Sequence, residues 1–188
     1  MINIFQPSLG EEELDEIKKV FESNWIGRGN YVKEFEDKFA LSLNQNPKNF
    51  FSVNSCTEGL FLAAKVFNFG IGDEIIVPTI SFIAVGSMVI DSGAKLVLCD
   101  VDKYSLNATV ETISKKITPK TKAIVLNHYG GHPCDMDGII TLAKNNNIFI
   151  IEDSACAVRS FYKGQACGTI GDMGVWSFDA MKMIVTGD

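Results

Sequence analysis

Ile148-Phe149-Ile150-Ile151-Glu152-Asp153 places four consecutive apolar residues before two acids. A strand with one wet face alternates apolar and polar positions, so an unbroken apolar run predicts a strand buried on both faces. Similar runs stand at 50–53, 74–77, 95–99, 123–127 and 175–178, beside 148–151 itself. Helical spacing fills the intervals at 57–68, 82–91, 108–116 and 136–146. Buried strands separated by helices predict an α/β fold with a mostly parallel sheet between helical layers, a three-layer α/β/α arrangement. Upstream, Leu14, Ile17, Val20 and Phe21 recur at helical spacing over 11–23, and Phe35 and Phe39 mark a second helix after the Gly27–Gly29 turn. Residues 1–45 therefore read as an N-terminal helical arm and 46–188 as the large α/β domain.

A chain of 188 residues that is 46% hydrophobic can bury a sizeable core. Its net charge of −6 leaves no basic stripe for a phosphodiester backbone or an anionic membrane, which points to a small-molecule partner. The five cysteines form no C-x-x-C pair and have only His128 and His132 beside them, so no metal site is expected. Reduced thiols in a cytoplasm fit this pattern. The N-terminus lacks a basic segment followed by an apolar run, so no signal peptide is expected. Residues 75–90 are too short and too interrupted to span a bilayer, and the protein reads as soluble.

In parallel sheets ligands bind beyond the carboxyl ends of the strands, and the chemistry-bearing residues cluster there. Asp153 closes the quoted run. Lys182 follows it by 29 residues and follows Ser177 by five. A lysine can hold an aldehyde as a Schiff base, a carboxylate can keep a pyridine nitrogen protonated, and a hydroxyl with backbone N–H groups can hold a phosphate. Together the three suggest pyridoxal 5'-phosphate (PLP). Asn54-Ser55-Cys56-Thr57 opens a helix after an apolar run and could hold the phosphate, although Ser55 or Thr57 as a plain helix cap explains that stretch alone. Asp153 alone fits a strand-end aspartate bonded to loop N–H groups equally well. Lys182 alone fits a solvated surface lysine. Gly70-Ile71-Gly72 suggests a nucleotide-binding loop only weakly, because it precedes a strand and lacks a third glycine.

Read in order, the motifs are specific. They run from Phe5-Gln6-Pro7 and Glu11-Glu12-Glu13 through the turn from Trp25 to Gly29, Ser55-Cys56-Thr57, and Gly72-Asp73-Glu74-Ile75-Ile76-Val77-Pro78. Then follow Thr118-Pro119-Lys120-Thr121-Lys122, Glu152-Asp153-Ser154-Ala155, Tyr162-Lys163-Gly164, Gly171-Asp172, Ser177-Phe178, Lys182 and Thr186-Gly187. This series resembles the DegT/DnrJ/EryC1/StrS family of PLP-dependent sugar aminotransferases, of fold type I in the aspartate aminotransferase superfamily.

The resemblance implies that Lys182 forms the Schiff base and shuttles the proton, and that Asp153 partners the ring nitrogen. It implies that Thr57, the Cys56 amide and Ser177 surround the phosphate, and that Phe82 stacks on the ring, where a core phenylalanine is the plain alternative. Two positions depart from the family pattern. Cys56 stands where glycine is common, and Cys156 where glutamine or histidine faces the phenolic oxygen. The related sugar dehydratases carry histidine in place of the lysine, so Lys182 favours transamination. The implied function is transfer of an amino group, with glutamate as the expected donor, to a keto sugar, expected to be nucleotide-linked. The setting would be amino-sugar, surface-polysaccharide or antibiotic biosynthesis, and the assembly a homodimer with shared active sites. The chain looks like the N-terminal half of such an enzyme, with the fold type I large domain incomplete at the C-terminus and the small domain absent. Exposed apolar edges and poor solubility are then expected of it alone. The alternatives are a non-catalytic or truncated protein of this fold, or a sugar dehydratase relative.

Overall fold

The computed structural model describes residues 7–186, so Phe5-Gln6 of the first motif and Gly187-Asp188 of the last lie outside the described residues. In chain order the elements are α1 (Glu11–Glu22), α2 (Asn30–Ser42), α3 (Cys56–Val66), β1 (Glu74–Pro78), α4 (Ile83–Asp91) and β2 (Lys95–Cys99). They continue with α5 (Val110–Ser114), β3 (Thr121–Asn127), α6 (Met136–Asn146), β4 (Phe149–Asp153), β5 (Phe161–Tyr162), β6 (Gln165–Ala166) and β7 (Met173–Val175).

Five strands form one parallel sheet in the order β2-β1-β3-β4-β7. Alternate residues of each strand serve opposite layers. Ile75, Val77, Ala123, Val125 and Ile151 pack with Leu60 and Ala63 of α3 and Val85 and Met88 of α4. Ile76, Ile124, Leu126 and Ile150 pack with Ile113 of α5 and Met136 and Ile139 of α6. Full burial of each such aliphatic side chain stabilises the fold by roughly 1.5–3 kcal/mol, which explains why the strands read as continuous apolar runs. The three-layer arrangement is thus the one expected. β5 and β6 form a small hairpin turned by Lys163 and Gly164, both at positive φ (49° and 85°). That pattern suits a type I′ turn, whose twist matches the strands.

Two expected strands differ. Residues 50–53 join no sheet, because no strand among the described residues runs beside them and the Ser52 N–H is taken by Glu36 Oε1 at 2.7 Å. The strand expected at 175–178 lies instead at Met173–Val175. β4 ends at Asp153, the Ser154 N–H closes the ladder on the Val175 carbonyl at 2.8 Å, and past that point no β4 backbone is left to pair with.

α2 and the turn before it rest on the body through polar and aromatic contacts. Among the described residues α1 buries none of its side chains, and Leu14 and Phe21 remain exposed. In α2, Phe35 and Phe39 pack edge-on to Phe178 with ring centres 5.0 and 5.2 Å apart. Arg28 grips the buried Glu36 through both terminal nitrogens at 3.0 Å and lies over the Phe51 ring at 4.2 Å. The motif between Trp25 and Gly29 is a turn closed by the Trp25 Nε1–H on the Arg28 carbonyl at 3.0 Å.

Candidate active site

All five sheet strands point the same way, so Pro78, Asn127, Asp153 and Val175 end on one edge. The chain leaves β1 for β2 on one side and returns as β3 on the other, which creates a switch point in strand order at that edge. α3 precedes β1 and runs against it, which brings the N-terminus of the helix to the same edge. Gly59 permits this approach: a Cβ there would stand 2.7 Å from Val175 Cγ1.

At the start of α3 the Ser55 hydroxyl accepts from the Glu58 N–H at 3.1 Å, so the capping reading holds for Ser55. Its own proton stays available to an acceptor. The N–H groups of Cys56 and Thr57, in the first helical turn, have no hydrogen-bond acceptor among the described residues, as helix starts generally leave them. Thr57 is exposed and Cys56 half-buried. Burial pushes the Cys56 thiol up to about 12, Asp153 adds to the rise, and Lys182 opposes it.

Asp153 is buried, with 3% of its surface exposed. One oxygen accepts from the Ala155 N–H at 3.1 Å, and the other has no hydrogen bond among the described residues. Burial raises its pKa, opposed by that N–H and by the positive charge of Lys182. A carboxylate so poorly compensated is set to receive a cationic partner. Lys182 Nζ reaches Cys156 Sγ at 3.6 Å, and Cys156 is exposed. Cys56, Asp153, Cys156 and Lys182 therefore share one electrostatic neighbourhood. Two further hydroxyls are buried nearby in sequence: among the described residues Ser154 Oγ has no partner, and Ser177 Oγ accepts only a long 3.4 Å bond from the Asp179 N–H.

Phe82 caps α4 just beyond β1 and is 67% exposed, which removes the core-phenylalanine alternative and leaves a bare aromatic face at the ligand-binding edge. An anion at the α3 N-terminus, a cation against Asp153, an aldehyde on Lys182 and a ring on Phe82 are together what PLP presents, so the residues fit this group. A cleft of about 760 Å³ runs between α2, residues 49–53 and the outer edge of β7. It includes Ser55 and Cys56 in its wall but not Asp153, Cys156, Lys182 or Phe82. Among the described residues no three His, Cys, Asp or Glu side chains converge to hold a metal, and no helix is long and apolar enough to cross a membrane.

Sequence reading missed one part of this edge. His128 Nε2 and Glu152 Oε2 lie 2.8 Å apart with both side chains fully buried, and Glu152 also accepts N–H bonds from Gly168, Ile170 and Gly171 at 2.6–2.7 Å. His128 Nδ1 accepts from the Cys134 N–H, and the His128 N–H donates to the Asp153 carbonyl. A glutamate closing an apolar strand was the available signal, because a buried carboxylate must be paired.

Against known proteins, the chain matches the profile of the DegT/DnrJ/EryC1/StrS aminotransferase family over residues 7–188. It is 49% identical over 188 residues to dTDP-4-dehydro-2,3,6-trideoxy-D-glucose 4-aminotransferase of Saccharopolyspora spinosa, covering all of this chain and 49% of that protein. Its structure is similar to aminotransferase TlmJ from Streptoalloteichus hindustanus with a TM-score of 0.97 at 49% identity, covering all of this chain and 51% of that one. It is also similar to the PLP form of Spr1654 from Streptococcus pneumoniae, with a TM-score of 0.89 at 31% identity, over all of this chain and 51% of that one. Spr1654 is also known in a PMP form. The chain spans about half the length of these relatives.

Proposed function

The chain belongs to the DegT/DnrJ/EryC1/StrS aminotransferase family, and from that premise we propose that it forms the cofactor-binding half of a PLP-dependent sugar aminotransferase. The observation that carries this reading is Asp153, a carboxylate sealed at a strand end with one N–H partner and with Lys182 as its nearby positive charge.

In this reading Lys182 Nζ carries the cofactor aldehyde and Asp153 faces the ring nitrogen. Phe82 covers one face of the ring. Ser55, Cys56 and Thr57 would hold the phosphate through the helix N-terminus, with Ser177 as a further hydroxyl donor, and Cys156 would contact the cofactor close to Lys182. When bound, PLP supplies an electron sink for the pair left on carbon as a proton departs. The chain supplies the rest. Lys182 would take up and give back a proton at Nζ, acting as base and then acid. Asp153 remains ionised against a cation and holds the ring orientation. Sulfur at Cys56 and Cys156 leaves backbone donors intact and offers only weak side-chain hydrogen bonds.

The acceptor is a keto sugar linked to a nucleotide and the donor is glutamate, in polysaccharide or antibiotic biosynthesis in the cytoplasm. Support comes from the S. spinosa relative, whose name specifies a dTDP-linked substrate. The active unit is a homodimer with shared sites. Residues 1–45 act as an arm on a cofactor-binding domain that starts at 46, a division supported by α1, which buries none of its side chains, and opposed by α2, which buries Glu36 and Ala40.

The test is the visible spectrum of the protein with added PLP, before and after borohydride, with mapping of the modified peptide. A pyridoxyl group fixed on Lys182 is the expected result. Fixation elsewhere, or none, overturns the assignment.

A further inference from the structure

Cys156 and Lys182 form a thiol–amine contact, with Sγ and Nζ 3.6 Å apart. The other four thiols are placed differently. Cys99, Cys134 and Cys167 are buried, and burial pushes their thiols up to about 11, 12 and 12. Cys56 is half-buried, and its thiol is likewise pushed up to about 12. Peroxides oxidise thiolates in accessible positions, so burial protects these four. Cys156 is exposed, and an ammonium group stands beside it.

We propose that Cys156 and Lys182 are a modification site at which a hydroperoxide links Sγ to Nζ through a reversible S–N bond. In the first step the Cys156 thiol takes oxygen from the hydroperoxide. The sulfur is oxidised by two electrons, the O–O bond is reduced, and water (or the alcohol) leaves. A sulfenic acid condenses with a nearby nitrogen or thiol. The amine in contact with Cys156 Sγ is that of Lys182, at 3.6 Å, and it attacks sulfur in its unprotonated form. Hydroxide departs from sulfur and becomes water with the proton lost from nitrogen. A dithiol reverses the link: one thiolate attacks Cys156 Sγ, Nζ leaves with a proton, and the second thiol frees Cys156 as the dithiol closes to its disulfide. Cys56 lies within electrostatic reach of Cys156 but is almost wholly in the thiol form, so it competes poorly for the sulfenic acid.

While the link stands, the Lys182 amine is closed to an aldehyde. That consequence rests on the role of Lys182 proposed above; the link itself does not. The site would thus make cofactor loading sensitive to peroxide and restorable by thiols.

The experiment treats the purified, cofactor-free 188-residue chain with hydrogen peroxide, blocks remaining thiols, digests without reductant and maps the peptides by mass. The expected product joins the peptides of Cys156 and Lys182 and is two hydrogen atoms lighter than their sum. It disappears after dithiothreitol and is absent from Cys156→Ser. A parallel sample, challenged with PLP and borohydride, should lose fixation on Lys182 after peroxide and regain it after dithiothreitol. Cys156 recovered as sulfinic or sulfonic acid with Lys182 unlinked overturns the proposal, as does a disulfide between Cys156 and Cys56. A link that forms in a protein that never fixes PLP supports the modification site and overturns the cofactor reading instead.

Discussion

Glu152 and His128 meet at 2.8 Å, Oε2 to Nε2, with neither side chain exposed, directly behind the strand end that presents Asp153. The same carboxylate gathers three N–H groups from the turn at 168–171, so one side chain fixes β4 to the segment that leads into β7. Neighbouring positions on one strand thus take opposite tasks. Glu152 is fully partnered and structural, while Asp153 is under-partnered and faces the candidate site.

Acid should expose this difference. Burial acts to raise the Glu152 pKa, but the bonds from His128, Gly171 and Gly168 outweigh it and hold the carboxyl below its ordinary 4.5. The folded chain therefore binds this proton less readily than the unfolded chain. Its stabilisation is complete above the ordinary value and is lost as pH falls through the lowered one. Glu152→Gln should cost roughly 3–5 kcal/mol at neutral pH and flatten the acid limb of Tm against pH. An unchanged acid limb would assign the pH dependence to other groups.

Asp153 should show the opposite sign. Its pKa is raised by burial, so in the cofactor-free protein the ionised form carries a penalty above the raised value. That penalty fades as pH falls through it toward the ordinary 3.8. Asp153→Asn should raise the Tm of cofactor-free protein at neutral pH, by roughly 2–4 °C per kcal/mol gained, and weaken PLP retention. Calorimetry with and without PLP separates the two effects.

Lys182→Ala should abolish borohydride-fixed pyridoxyl at this position. Among the described residues the Lys182 amine hydrogen-bonds only the Cys156 thiol and acts on Asp153 through its charge alone, so stability should change by less than about 1 kcal/mol. Peptide mapping and a melting curve on the same sample check both statements.

Gly59→Ala sets helix propensity against packing. Alanine favours a helix by about 1 kcal/mol, but its Cβ would meet Val175 Cγ1 at 2.7 Å, and overpacking a core costs roughly 1–3 kcal/mol. The clash should win and lower Tm, and adding Val175→Ala should recover part of the loss. An additive double mutant would mean that the two residues do not press on one another.

The strands at 74–78, 121–127 and 149–153 and the helix at 136–146 were legible because their apolar pattern is local and burial leaves little choice of residue, while the edge strand at 95–99 was legible from its apolar run although only Cys99 is buried. Asp153 and Lys182 were legible as candidates because chemistry restricts which residue types can hold a pyridine nitrogen or an aldehyde. The extended stretch at 50–53 was misread as a strand because strand character lies in a pairing partner, which no local pattern reveals. The shift of the last strand to 173–175 has the same origin, since the end of β4 sets where pairing stops.

By itself, then, the sequence determined the order of buried strands and helices and the residue types at the strand ends, through hydrophobic period and side-chain chemistry. Only the tertiary structure decided that Glu152 is locked to His128 while Asp153 stays under-partnered, and that Lys182 comes to rest on Cys156. It also exposed Phe82 at the edge of the sheet. Each of these depends on desolvation and on distances between residues remote in the chain, and those quantities exist only once the chain has closed on itself.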